Sequence, residues 1–329
     1  MAEKMTTRLR LHWLPVLLLG TLALLPLVAG WLGQGYYVTF ATRVLVLAIA
    51  AVGLNVALGY GGMVSFGHAL YVGLGAYVVA ALSQAGVQSG LAHLGVALAA
   101  GGVLAVLLGL VCLRTSGIAF IMITLAFSQM FYYVVVSLKQ YGGDDGMALP
   151  ARSTLFGASL ESPVAFYYVV FVLLSLVLLF VALMARSRFG WVVRGSKLNA
   201  RRMAALGYPV LRYRLAAYVL SALICVLAGV LLANLARFAS PSYLQWSLSG
   251  ELIVMVVLGG MGTVLGPVFG AIVLLLLEEL LANAHVPLPF GVDAMVRSHF
   301  MGLIGIFIVL MAMGTRHGLA GFANRKEAK

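Results

Sequence analysis

The stretch VLVLAIAAVGLNVALGYGGMVSFGHALYVGLGAYVVAALSQ, residues 44–84, holds no Lys, Arg, Asp or Glu, and its reading decides the fold. About 20 apolar residues of helix carry a chain across a hydrocarbon core with every backbone N–H and C=O satisfied. This run is about twice that long. Its middle, GYGGMVSFGHA (59–69), contains four glycines, a serine and a histidine, which interrupt what hydropathy would otherwise join into one block. Irregular backbone survives at membrane depth only inside protein or beside a water-filled cavity. The expectation is two helices, Tyr36 to Leu58 and Ala69 to Gln84, joined by a broken or re-entrant element.

The rest of the chain agrees. Of 329 residues, 63% are hydrophobic and 9% charged, which excludes a soluble domain with an ordinary mixed-charge surface. A formal charge of +12 would suit nucleic acid only if Lys and Arg gathered on one soluble face. Instead sixteen of the 21 fall in four places: Lys4 to Arg10, Arg114, Arg186 to Arg214, and Arg316 to Lys329. Basic clusters between apolar spans mark cytoplasmic segments. Cys112 and Cys225 lie in apolar stretches without metal-ligand spacing and read as packing thiols.

The architecture expected is an all-α polytopic membrane bundle of about ten transmembrane or partly re-entrant segments. The first, Trp13 to Trp31, is read as an uncleaved span rather than a signal peptide. Further spans run Leu91 to Leu113, Ile118 to Leu138, Pro163 to Ala185 and Arg214 to Asn234. A short piece, Leu252 to Leu258, precedes Gly266 to Asn283, and the last span lies near His299 to Met313. The domain division is a cytoplasmic tail 1–12, a membrane domain 13–313 with a basic loop 186–213, and a cytoplasmic tail 314–329. Both termini are then cytoplasmic. An outer loop, 139–162, carries Asp144, Asp145 and Glu161. Arg43, a charge inside the second span, either snorkels, pairs or marks function.

Small residues at four-residue spacing, Ala97 to Gly109 and again Gly262, Gly266 and Gly270, read as faces for close helix contact. GGMVSFG (61–67) and GGMGTVLG (259–266) resemble each other and fall in the two halves. Paired breaks suggest an inverted repeat with a solute path at its interface, against the alternative of two unrelated glycine-rich breaks. Asn55, Ser65 and His68 beside the first break, and Glu251 at the start of the short segment, are candidate path-lining groups; each could equally cap a half-helix.

No P-loop, Ser–His–Asp set, HExxH or acidic metal cluster stands in a plausible context, so neither an autonomous ATPase nor an enzyme is expected, and no cofactor. The runs GLNVALGYGGMVSFGHALYVGLGAY (53–77), GGDDGMALP (142–150), GYPVLRYRLAAYVLSA (207–222), MVVLGGMGTVLGPVFGA (255–271) and RHGLAGF (316–322), in this order and spacing, resemble the permease subunits of branched-chain amino acid ABC importers. The GGDDG loop is more similar to the LivM type than to its LivH partner. The resemblance implies a type II, vitamin B12-importer-like permease in a bacterial inner membrane, not itself an enzyme. It also implies a second, LivH-like permease, two cytoplasmic ATPase subunits and an extracytoplasmic solute-binding protein. Branched-chain amino acids are the implied solute, although similar permeases carry urea, amides and aromatic acids.

The loop departs from the family in lacking acidic residues before Ala205 to Gly207. Asn199, Arg202, Met203, Ala205, Leu206 and Gly207 are the expected ATPase-coupling residues, with Asn199 opening a short helix and Gly207 and Pro209 ending it. The alternative for the loop is a basic anchor on lipid headgroups. The alternative for the protein is a stand-alone secondary transporter or channel, for which only Glu278 and Glu279 approach mid-span charges. The charge pattern predicts that single cysteines placed in 142–162 react with impermeant thiol reagent from outside. Those in 186–212 should react only after the membrane is opened; labelling of the second set in sealed cells would overturn the orientation.

Overall fold

The computed structural model describes residues 18–26, 35–155, 158–282 and 300–314. Both tails, the closing RHGLAGF run and the ends of the first span lie outside the described residues. Twelve helices follow in order: α1 (18–26), α2 (Gly35–Asn55), α3 (His68–Gln84), α4 (Gly90–Cys112), α5 (Ile118–Ser137), α6 (Pro163–Arg186), α7 (Arg188–Leu198), α8 (Ala200–Ala205), α9 (Val210–Ala236), α10 (Trp246–Gly259), α11 (Gly266–Ala282) and α12 (Phe300–Gly314). Among the described residues, five are long and apolar enough to cross a membrane: α2 with the turn that continues it, α4, α5, α6 and α9. The remaining apolar helices α3, α10, α11 and α12 are shorter, at 14 to 17 residues.

A helix apolar all round belongs in the centre of a bundle. In α2, 94% of the most apolar window is buried, against 28% in α4 and 17% in α5. So α2 is the central post, and α4 and α5 turn residues such as Val103, Leu107, Ile118 and Met122 outward. That exposed apolar surface needs lipid, because water would leave it costly to expose. Alongside α2 runs α9, which also packs on α3 and α4.

Glycines set the closest approaches. A Cβ on Gly229 of α9 would sit 1.9 Å from Val72 O of α3, and one on Gly75 would sit 2.4 Å from Val226 O. Such backbone contact replaces the hydrophobic drive that lipid cannot supply between helices. Gly101 and Gly109 of α4 instead make room for α9 side chains, Val226 and Leu215.

Two expectations need correction here. Gly262 is not on a helical face with Gly266 and Gly270, because it lies in the turn between α10 and α11 at φ +77°. Gly259 of α10 takes that place: its Cβ would lie 1.8 Å from Gly266 O, and one on Gly270 would lie 1.8 Å from Met255 O. And α10 begins at Trp246 rather than near Leu252, since Ser247, Ser249 and Glu251 weaken its hydropathy without breaking its helix.

At one end of the bundle the acidic loop folds onto α9. Strands β1 (Met147–Ala148) and β4 (Phe238–Ala239) pair antiparallel, while β2 (Thr154–Leu155) and β3 (Ala158–Ser159) form a second small hairpin. Arg152 is buried and donates to the carbonyls of Asn234, Leu160 and Glu161, and Arg237 pairs with Glu161. The opposite end carries the basic helices α7 and α8.

Gly266→Leu would drive a side chain into Thr263 Oγ1 and Gly260 O, which a Cβ alone already meets at 2.2 and 2.6 Å. Overpacking against backbone costs at least the ~1–3 kcal/mol typical of crowded cores. The expected outcome is normal insertion with a lowered thermal unfolding midpoint in detergent and lost transport; wild-type stability would refute the contact.

Candidate functional site

The first break is reached through a change in helix winding. After Asn55 the helix continues as a π-turn, Val56–Tyr60, a rare geometry that recurs at functional sites. Irregular backbone then runs from Gly61 to Gly67, with Gly62 at φ +68°. The second break, Gly260 to Leu265, lies against it, and Asn55 joins the two. Its Nδ2 donates to Thr263 O at 2.8 Å, and its Oδ1 accepts from Gly262 N–H at 2.9 Å. Gly59 has no room for a side chain, since a Cβ there would lie 2.0 Å from Asn55 Oδ1 and 2.5 Å from Gly262 N.

Unwound backbone in a buried setting leaves orphan N–H groups at the start of α3. Three hydroxyls satisfy them. Phe66 N–H donates to Thr124 Oγ1, Gly67 N–H to Ser65 Oγ, and Ala69 N–H to Ser249 Oγ at 2.8 Å. His68 is fully buried, with Nε2 2.9 Å from Ser221 Oγ. Because Ser221 donates its one hydroxyl proton to Gly53 O, the His68 Nε2 carries the proton in that contact. Asn55, Ser65 and His68 are thus enclosed and engaged with backbone or Ser221.

The basic end is tied to the same break. In α7, Ser187 caps the start by accepting from Gly190 N–H, and Val192, Val193 and Ser196 are buried. Lys197 Nζ donates to Gly59 O at 2.8 Å, and Arg194 lies over the Tyr60 ring at 5.4 Å. Next, α8 is capped by Asn199 Oδ1, which accepts from Arg202 N–H at 2.9 Å. It ends in a Schellman turn: Tyr208 N–H donates to Met203 O, Gly207 N–H to Ala204 O, and Gly207 sits at φ +88°.

Of Met203 and Leu206, the two larger apolar residues among the expected coupling residues, one is otherwise occupied. Met203 packs inward on Gly195 of α7, so only Leu206 projects, together with Leu198. The exposed surface of this end includes Trp191, Leu198, Leu206, Arg201, Arg202 and Ala205. Nothing in the sequence reading anticipated α7, whose glycines and β-branched residues are weak helix formers.

Glu251 stands apart, at the far end of the bundle. It lines a cavity of about 400 Å³ with Tyr36, Thr39, Arg43, Tyr243 and Glu279, over an apolar wall that includes Phe40, Leu47 and Leu248. Tyr36, Phe40, Arg43 and Leu47 recur at helical spacing on one face of α2, a signal the sequence held.

This is the architecture of a multi-pass membrane protein: apolar faces outward, glycine breaks held inside, a charged cavity at one end and capped basic helices at the other. Residues 36–312 match the family described as the branched-chain amino acid transport system permease component, and the chain belongs to that family. It is 27% identical over 327 residues to the high-affinity branched-chain amino acid transport system permease protein LivM of Escherichia coli (strain K12), covering 90% of this chain and 73% of the relative. The LivM of Salmonella typhimurium is 26% identical over 309 residues, covering 86% and 69%. No solved structure matches the chain.

Asn55→Leu removes the donor and the acceptor that join the breaks and leaves Gly262 N–H and Thr263 O without them. An unsatisfied buried polar group costs about 1–3 kcal/mol. The variant should unfold at lower temperature and expose the 259–266 turn to protease, while inserting normally; an unchanged protease pattern would refute the bridge.

Proposed function

We propose that the chain is the membrane-spanning permease subunit of an ATP-binding-cassette importer, moving branched-chain amino acids or a related small solute by alternating access. In this reading two ATPase subunits on the cytoplasmic side drive it, a second permease completes the pathway, and an extracytoplasmic binding protein delivers solute. The loop 186–213 is cytoplasmic, as its seven Lys and Arg favour, and the acidic loop faces outward. The observation that carries the reading is the Lys197 to Gly59 hydrogen bond, which ties the exposed basic helices to the broken segment at the centre. A chain with no nucleotide site of its own can be driven by ATP only through a contact that moves with the ATPase. Here α8 is that contact, with Leu206, Ala205, Arg201 and Arg202 offered outward, Asn199 and Gly207 fixing its ends, and Met203 fastening it to α7.

A carrier working alone has one observation on its side, the charges of Arg43, Glu251 and Glu279 around a single cavity. It requires uptake without ATPase subunits, which the importer reading forbids.

Gly207→Val tests the coupling contact. A β-branched residue is strained at φ +88°, by about 1 kcal/mol or more, and misdirects the end of α8. The variant should insert and leave solute binding by the soluble partner untouched, yet uncouple ATP hydrolysis from uptake or release the ATPase subunits on purification. Leu206→Asp should do the same without backbone strain. Normal transport with retained ATPases in both variants would move the coupling site elsewhere and leave this loop a membrane anchor.

A further inference from the structure

The cavity at the acidic-loop end gathers Arg43, Glu251 and Glu279 on its lining, and one oxygen of Glu251 is buried there without a partner among the described residues. Arg43 is eight residues into α2, about 12 Å along the helix at 1.5 Å per residue. It makes no hydrogen bond or ion pair with any described residue. Glu251 projects from α10 into the same cavity, and its Oε1 is buried without a hydrogen-bond partner among the described residues. A carboxylate oxygen buried without a donor is costly unless something pairs it. The two do not pair with each other: no ion pair within 4.0 Å joins them. Glu279, the third charge, accepts from Tyr36 Oη.

Between these poles the wall is aliphatic and aromatic: Phe40, Leu47, Leu232, Leu235 and Leu248. At about 400 Å³ the space falls within the roughly 300–1,000 Å³ of small-molecule pockets. A guanidinium fork presents two parallel N–H donors that match a carboxylate. A buried carboxylate oxygen lacking a donor matches an ammonium group.

We propose that this cavity is a solute-reading site within the permease, taking a small zwitterion with an apolar side chain: Arg43 holds its carboxylate, Glu251 its ammonium, and the Phe40, Leu47 and Leu248 wall its side chain. The site rests on the permease reading and adds to it a selectivity element inside the membrane subunit itself. Thr39 and Tyr243 lie beside the charges and supply hydroxyls at the rim. The arrangement discriminates by charge number, because a molecule lacking either end leaves Arg43 or Glu251 unpaired, the situation in which selectivity is sharpest.

The test uses the assembled permease–ATPase complex without its binding protein, so that selectivity comes from the membrane part. In a background lacking Cys112 and Cys225, Thr39→Cys reports occupancy through its rate of labelling by a small thiol reagent. L-leucine should slow labelling several-fold; isoamylamine, which lacks the carboxylate, and isocaproate, which lacks the ammonium, should not at the same concentration. Protection by leucine should vanish with Arg43→Gln and return in part with Arg43→Lys. In the complete system, Arg43→Gln and Glu251→Gln should each raise the KM for leucine uptake by about ten-fold or more, the scale of one charge-assisted hydrogen bond, with ATPase activity retained. Equal labelling with and without leucine, or equal protection by all three probes, overturns the site. If Arg43→Gln fails to assemble, the Thr39→Cys comparison with Arg43 intact still decides. Leucine uptake unchanged in both variants overturns the site and leaves the permease reading standing, whereas a wild-type complex that moves no amino acid under ATP overturns both.

Discussion

One side chain, Asn55, carries the constraint on which the rest depends. A chain inside a membrane has no water to satisfy unwound backbone, so every break in a helix must find protein partners. Asn is suited to this because its amide offers both a donor and an acceptor. Here the donor meets Thr263 O and the acceptor meets Gly262 N–H. Two interruptions separated by some two hundred residues thereby become one structural unit. The glycines around them follow from that proximity: Gly59 because a Cβ would strike the Asn55 amide, Gly262 because its φ of +77° is one that residues with side chains rarely adopt.

Hydroxyl groups finish what Asn55 begins. Ser65, Thr124 and Ser249 accept from the N–H groups of Gly67, Phe66 and Ala69 at the entry to α3. Each hydroxyl comes from a different element: Ser65 from the break itself, Thr124 from α5 and Ser249 from α10. A shift of α10 against α3 would therefore uncap the helix, and the same shift would disturb the Gly259 and Gly270 backbone contacts. Packed this tightly, α10 and α11 have few intermediate positions, which favours discrete arrangements over gradual deformation.

Much of this was legible in the sequence because membrane constraints are local. Apolar run lengths gave α4, α5 and α6 nearly to the residue, glycine clusters marked both breaks, and Asn199 and Gly207 announced the ends of α8. What was not legible is non-local. Asn55 reads as a lone polar residue until its partners 207 and 208 positions away are known. The inward turn of Met203 depends on Gly195 of a neighbouring helix, and no periodicity reveals that. Arg43 and Glu251 each stood out as charges in apolar surroundings, but their meeting at one cavity needed the fold.

The path from the basic end to the centre is short and specific. From α8 it passes through Met203 on Gly195 into α7, then through Lys197 to Gly59 O, and from Gly59 to the Asn55 amide it touches. Every step is a close contact or a hydrogen bond, and none crosses lipid. Lys197 is a flexible four-carbon tether on a single carbonyl, whereas Asn55 is a rigid double contact. Displacement of α7 would therefore reach the breaks as a pull on one carbonyl at the end of a π-turn, where the backbone already departs from ideal helix winding. The Asn55 bridge joins that turn to the second break through its two hydrogen bonds. A π-turn held by one Lys side chain and one Asn amide is thus the link between the surface helix α7 and the second break.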